Sequence, residues 1–293
     1  MLKPYEWMIK YTPQLEWLNG RGIYIWLAMY TGGLSSGLYL TSLYFNNLLG
    51  MFVGLLISLL MGLFYILHLR KPERFWRLLL RPQTSWISRG LICVILFFIF
   101  GAIGIILSYW YSGGVWEMLL KIIAGIFAFG QLLYTGFVIS YTRAIKFWNS
   151  AIVPIISVVC SLLGGLAILL LIMLGNDYAE IIILKQIIFI LLVIYAIFIA
   201  IFLYNTTYGE LAAKESVKKI VWGDGAVTFW IGEILIGLLV PISILIANYF
   251  TGEISAVLLI TVAFCLIIGG LSFRRSLFEG GIYTPLLFQK LEE

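Results

Sequence analysis

Runs of about 20 apolar residues dominate this chain, and a run of that length is what a helix needs to cross a bilayer. Eight stretches qualify: Gly22–Phe45, Leu48–Leu69, Gly90–Tyr109, Met118–Tyr141, Trp148–Leu174, Ile181–Tyr204, Val227–Tyr249 and Ser255–Phe273. Hydrophobic residues make up 62% of the sequence, far above the usual share in a soluble domain. The first run follows a polar lead of roughly twenty residues and lacks a small-residue cleavage site, so it reads as a retained span and not a removable signal. The sequence therefore predicts an all-α polytopic protein of the plasma membrane, a single integral membrane domain over residues 1–293. Its eight transmembrane helices are expected to form two four-helix groups. The longest connections, Arg70–Arg89 and Asn205–Ala226, leave no room for a separate soluble domain.

The scarce chemistry-bearing residues exclude several functions. Cys93, Cys160 and Cys265 all fall inside predicted spans without CxxC spacing, whereas an iron–sulfur cluster needs several thiolates close together. They read as small apolar packing residues. His68 is the only histidine, so a haem held between two histidines cannot be built. No haem and no iron–sulfur cluster are expected in this chain, and no nucleic-acid partner. If electrons pass through it, a diffusible carrier such as a lipid-soluble quinone must bring them.

Charge is gathered on one face. With eight spans, all but Lys121 and Lys185 of the 19 Lys and Arg residues lie on the side of the termini and the even-numbered loops. The positive-inside rule makes that side cytoplasmic. Lys121, Lys185 and Glu180 lie near the opposite face, where they are able to pair with one another. The basic face is richest in the segment HLRKPERFWRLLLRPQTSWISRG, which holds Arg70, Lys71, Arg74, Arg77, Arg81 and Arg89. Pro72 suits the first turn of a helix, and Glu73 follows where the helix dipole favours an acid. Arg74, Arg77 and Arg81 then share one helical face while Phe75, Leu78 and Leu79 share another. A short interfacial helix is expected, apolar toward lipid and cationic toward water. Pro82 ends it, and Ser85 and Ser88 are available to cap the next span. Lipid phosphates and an acidic partner surface are both suitable counterparts for these six cations. Aromatic residues at span ends, Trp110, Trp116, Trp148, Trp222 and Trp230, read as an interfacial belt.

That same segment resembles the signature loop of the NrfD/PsrC family, the membrane subunits of polysulfide-reductase-type complexes. IYIWLAMYTGGLSSGLYL resembles the family's first span. LLYTGFVISYTRAIKFWNSAIVPIISV is similar to its fourth and fifth, with YTG, the Trp148–Asn149 pair and Pro154. FWIGEILIGLLVPI and GGLSFRRSLFEGG resemble its seventh and eighth. The resemblance implies an eight-helix subunit that exchanges electrons with menaquinone or a similar quinone and is not active alone. It also implies a four-cluster ferredoxin-like iron–sulfur partner and a molybdopterin (Mo or W) catalytic subunit, in addition to the lipid bilayer. Under it, the six basic residues of the loop read as a docking surface.

Individual residues acquire candidate roles in that frame. Tyr134 of the YTG motif matches the family tyrosine that donates a hydrogen bond to a quinone carbonyl. Asn19 matches a family asparagine, with Arg21 beside it, although this chain has Gly20 and Arg21 where some members carry a histidine. Gly33 and Gly37 form GxxxG, which lets helices approach closely and, in the same frame, shapes a cavity wall. His68 ends the second span and is suited to moving a proton. Glu233 lies about two turns into the seventh span, where an acid is expensive and functional by default; quinol oxidation releases protons that a partly buried carboxylate is able to accept. A transporter or a purely structural anchor are the competing readings. The first would favour broken helices with midplane polar groups, and the second has no use for Tyr134 or Glu233.

Overall fold

A computed structural model describes residues 11–111, 113–175, 178–251 and 255–285. Seven helices in it are long and apolar enough to cross a membrane: α2 (Leu48–His68), α3 (Trp86–Trp110), α4 (Val115–Ser140), α5 (Ile152–Ile172), α6 (Tyr178–Thr207), α8 (Val227–Thr251) and α9 (Ala256–Glu279). The first expected span forms α1, Gly22–Tyr44, but its Gly, Ser, Thr and Tyr content leaves it less apolar than these seven. A twelve-residue helix, α7 (Leu211–Trp222), occupies the connection expected to be a loop; it turns Ala212, Ala213, Ser216 and Ile220 inward at i, i+4 and i+8 spacing.

The low apolarity of α1 reflects its position. It packs against α2, α4, α5 and α9, and Gly32, Gly33, Ser35, Ser36 and Gly37 are all buried. A Cβ on Gly37 would strike the Ser161 carbonyl oxygen, and one on Gly165 would strike the backbone of Gly37, so α1 and α5 touch main chain to main chain. Lipid tails are as apolar as leucine, so close packing of small residues is what draws such helices together. The GxxxG expectation thus locates a real contact. Two apolar cores flank the crossing. The smaller joins Tyr39, Met51, Leu55, Phe97, Ala124 and Ala128 from α1 to α4. The larger is centred on α5, α6, α8 and α9 and reaches Met29 and Leu38 of α1.

Several boundaries shift for local reasons. The third span starts at Trp86, not Gly90, because the Ser85 side chain caps it by accepting from the Ser88 amide at 3.4 Å. The fifth starts at Ile152 because the chain before it turns to bury Trp148. That residue is not part of an interfacial belt: it is 1% exposed, donates from Nε1 to the Leu277 carbonyl at 2.6 Å and stacks on Trp17 at 5.3 Å. Trp110, Trp116, Trp222 and Trp230 are exposed. The expected interfacial helix is a 3-10 helix over Pro72–Leu80, with no buried residue. Its three-residue period keeps Arg74 and Arg77 together and leaves Arg81 at its end, off their face.

Near Glu233 the backbone changes its winding. Val227–Leu239 is π-helical and passes into α-helix at Val240. Pro241 follows, lacking the amide that an α-turn would require, and within the π-stretch Gly237 lies against Gly269 of α9. Strand β1 (Thr12–Pro13) pairs antiparallel with β2 (Ile282–Tyr283), and the Gln14 amide donates to the Gly281 carbonyl at 2.8 Å. The two ends of the described chain are thereby tied together beside the Trp17–Trp148–Phe278 ring cluster.

Overpacking a close contact of this kind costs about 1–3 kcal/mol. Gly37→Leu and Gly165→Leu are therefore expected to lose at least that in detergent-monitored thermal unfolding, while Gly62→Leu, whose Cβ meets nothing within 4 Å, holds the parental stability.

Candidate functional site

The polar side chains of the basic face converge at the mouth of α1 and the end of α2. A turn with Gly20 at φ +57° carries Asn19 and Arg21 to the start of α1. Across it, α2 delivers His68. Asn19, Arg21, His68, Glu16 and Arg70 line one cavity of about 680 Å³, walled on its apolar side by Trp17 and Leu69. The His68 ring Nδ1 lies 2.9 Å from the Arg21 carbonyl oxygen. A carbonyl only accepts, so Nδ1 carries the hydrogen and, in the neutral ring, Nε2 is the basic nitrogen.

One turn before Leu69 on α2, Tyr65 brings its hydroxyl to 3.3 Å from that of Tyr134 on α4. The Tyr134 ring lies over Gly90 of α3, where any side chain would collide with it. Tyr65 is a partner that the sequence reading did not single out. Its signal was present, since it stands three residues before His68 and on nearly the same helical face.

Gly33 does not line this cavity. It faces Ser161 and the guanidinium of Arg274, a second group missed from sequence. Arg274 is 1% exposed and donates to Ser157 Oγ at 3.3 Å and Thr135 Oγ1 at 3.2 Å. Among the described residues no carboxylate lies within ion-pairing distance of it. It lies within electrostatic reach of Tyr30, Tyr65, Tyr195 and Cys160, which puts a guanidinium charge between the phenol pair and the region of Glu233. The expected eighth span ended at Phe273; the helix runs on to Glu279 and takes Arg274 inside.

Glu233 lies apart from the Asn19–His68 cavity. It is 3% exposed, and its partner is the Tyr195 hydroxyl of α6, which donates to Oε1 at 3.3 Å, not an arginine of a neighbouring helix. It also lines a small cavity of about 20 Å³ together with Ser276, among Phe202, Phe229 and Phe273.

The basic loop divides by geometry. Arg70 lines the cavity, while Lys71, Arg74, Arg77 and Arg81 are exposed. Arg89 is engaged with its own loop, donating to the Pro82 and Gln83 carbonyls at 2.8 and 2.7 Å and lying 4.8 Å over the Trp86 ring. At the opposite face, Lys121 pairs with Glu117 at 2.6 Å, and Ser108 and the Gly113 amide also donate to that carboxylate. Lys185 donates to Asn248 at 3.0 Å. Among the described residues no group of three His, Cys, Asp or Glu side chains is placed to hold a metal ion.

A guanidinium this deep depends on its few acceptors, and hydrogen bonds to charged groups are worth about 1.5–3 kcal/mol. The Thr135→Val, Ser157→Ala double variant is expected to be destabilised by about 2–4 kcal/mol, read as a fall in the unfolding midpoint in nanodiscs.

The family model for polysulphide reductase, NrfD, matches residues 17–285. No curated protein matches the chain.

Proposed function

This chain belongs to the NrfD family of polysulphide reductase proteins, and we propose that it is the quinone-reactive membrane subunit of a respiratory oxidoreductase complex. It exchanges electrons between a menaquinone-type quinol and an iron–sulfur partner. The observation that carries this reading is the convergence of Asn19, Arg21 and His68 on one cavity, one helical turn from the Tyr65–Tyr134 phenol pair.

The donor set fits a quinone ring. Such a ring is flat, apolar on its faces and accepts hydrogen bonds only at its two carbonyls. Trp17 and Leu69 offer apolar walls and the Asn19 amide offers N–H donors, while the Tyr134 phenol stands outside the lining, paired with the Tyr65 hydroxyl. The cavity volume lies within the range usual for small-molecule sites, about 300–1,000 Å³. The histidine that some family members carry beside this asparagine is absent, but His68 reaches the same cavity from α2. When bound, a quinone supplies reversible two-electron, two-proton chemistry.

The chain's own groups then have distinct tasks. Asn19 and Tyr134 orient a ring by donating to its oxygens. Nε2 of His68 takes a proton from a hydroxyl brought within reach, because its other nitrogen is committed to the Arg21 carbonyl. Tyr65 positions the Tyr134 hydroxyl. Gly33, where a side chain would reach Ser161 and Arg274, keeps α1 close to its neighbours. Glu233 receives protons farther from the cavity.

Arg70, Lys71, Arg74, Arg77 and Arg81 form the cationic part of a docking surface for a four-cluster ferredoxin-like subunit, with Arg89 bracing the loop from within. A molybdopterin catalytic subunit completes the complex. The ladder between β1 and β2 supports eight crossings in a single membrane domain: two ends tied at one face require an even number of spans, which the seven most apolar helices reach only with α1. The two apolar cores support a grouping into two sets of four. By the distribution of positive charge the tied ends face the cytoplasm, in the plasma membrane.

The test is binding of a fluorescent hydroxyquinoline N-oxide, a quinone analogue, to the purified protein. Tyr134→Phe and His68→Ala are each expected to weaken it roughly tenfold, about 1.4 kcal/mol. Parental affinity in both variants is what a purely structural anchor would give, and would overturn the reading.

A further inference from the structure

Glu233 is enclosed, and any proton it receives must leave by some route. The cavity of about 20 Å³ beside it has room for one water, given that about 10–15 Å³ suffices when two or more polar groups line the space. Two polar side chains line it, Glu233 and Ser276 of α9. Ser276 is 3% exposed, and its hydroxyl has no hydrogen-bond partner. It stands beside the Glu233 carboxyl, close enough to interact with it but short of a hydrogen bond of ordinary geometry. Buried hydroxyls in native proteins rarely go unsatisfied, so a Ser276 Oγ held only loosely by the Glu233 carboxyl, at the wall of a water-sized space, marks a hydration site.

The same helix continues the line toward the basic face. Glu279 stands three residues beyond Ser276 and so on the same side of α9. Its Oε1 accepts from Arg275 at 2.7 Å, whereas its Oε2 is buried and without a hydrogen-bond partner, close against Gly225 of the α7–α8 turn. Beyond it, Lys219 of α7 lies in electrostatic reach of both Glu279 and Asp224; burial pulls the Lys219 ammonium below its ordinary value while both carboxylates oppose that shift. Gln14, buried and joined through its backbone amide to Gly281, adds two more unpartnered side-chain atoms at this end of the bundle.

We propose that the cavity takes one water and that Ser276 and Glu279 carry protons from Glu233 to the basic face. The step balances as a relay. The Glu233 carboxyl gives its proton to the water, the water gives one of its own to Ser276 Oγ, and the hydroxyl proton of Ser276 passes to Oε2 of Glu279. Each oxygen ends with the number of protons it began with, except that Glu233 has lost one and Glu279 has gained one. Ser276 and Glu279 are positioning and relay groups; neither touches the cavity of Asn19 and His68. The proposal rests on the reading of Glu233 as proton acceptor.

The experiment uses the purified complex turning over a soluble naphthoquinol with a one-electron dye as acceptor, alongside hydroxyquinoline N-oxide binding. Ser276→Ala and Glu279→Gln are expected to bind the analogue as the parent does and to turn over roughly tenfold more slowly, with an enlarged solvent deuterium effect. Glu279→Asp, which retains a carboxylate, is expected to recover most of the rate. Parental turnover in both Ser276→Ala and Glu279→Gln, while Glu233→Gln is slow, overturns the route and leaves Glu233 as the acceptor. Parental turnover in Glu233→Gln removes the acceptor and the route together. Loss of analogue binding in Ser276→Ala assigns its effect to the quinone cavity and likewise overturns the relay.

Discussion

The main-chain contact between Gly37 of α1 and Gly165 of α5 governs the rest of the bundle. Inside a bilayer there is no water to expel, so helices gain from meeting only what dispersion and hydrogen bonding supply. Bare backbone lets two helices come close enough for that gain to be large. Once α1 is fixed at the centre, its N-terminal turn holds Asn19 and Arg21 at the mouth of a cavity, and its partner α2 holds His68 and Tyr65 opposite. The same crossing brings Ser157 and Thr135 within reach of Arg274. Two polar assemblies therefore descend from one apposition of glycines.

These assemblies differ in their relation to water. The cavity of Asn19 and His68 opens among exposed residues and holds its charged groups, Glu16, Arg21 and Arg70, at the rim. Arg274 and Glu233 are enclosed, and an ion there costs several kcal/mol unless polar partners surround it. Arg274 has two hydroxyls, and Glu233 has a phenol and a water-sized space. The π-helical winding over Val227–Leu239 fits this economy, since a wider turn re-aims side chains and such turns frequently coincide with functional positions.

The spans of this fold were legible because apolar length is the strongest signal a membrane sequence carries. The loop caps were legible too: Ser85 does begin α3, and Pro72 does begin the interfacial segment. What escaped was anything set by tertiary burial. Trp148 has the sequence position of a belt residue and the environment of a core residue, and only the neighbouring Trp17 and Leu277 distinguish the two. Arg274 follows Phe273 at a plausible span end, and nothing local says that its helix continues. Lys121, Lys185 and Glu180 stood near the far face as able to pair with one another, whereas Lys121 bonds to Glu117 one turn away and Lys185 donates to Asn248. Of the residues expected to form a quinone site, Asn19, Arg21 and His68 share a cavity, whereas Tyr134, Gly33 and Glu233 do not line it.

The ladder joining β1 to β2 has a bearing on how the protein is made. Strand β1 leaves the ribosome before the helices α1 to α9, and its partner, Ile282–Tyr283, after them. Between them α1, less apolar than the seven helices that follow, must reside in the membrane before α5 and α9 exist to cover its serines and glycines. Its final seat is therefore available only once α5 and α9 have been made, and in that seat the hydroxyls of Ser35 and Ser36 bond to carbonyls of α2 and of α1 itself. Of the helices α1 to α9, the one at the centre of the finished bundle precedes the rest into the bilayer and is among the last to be enclosed.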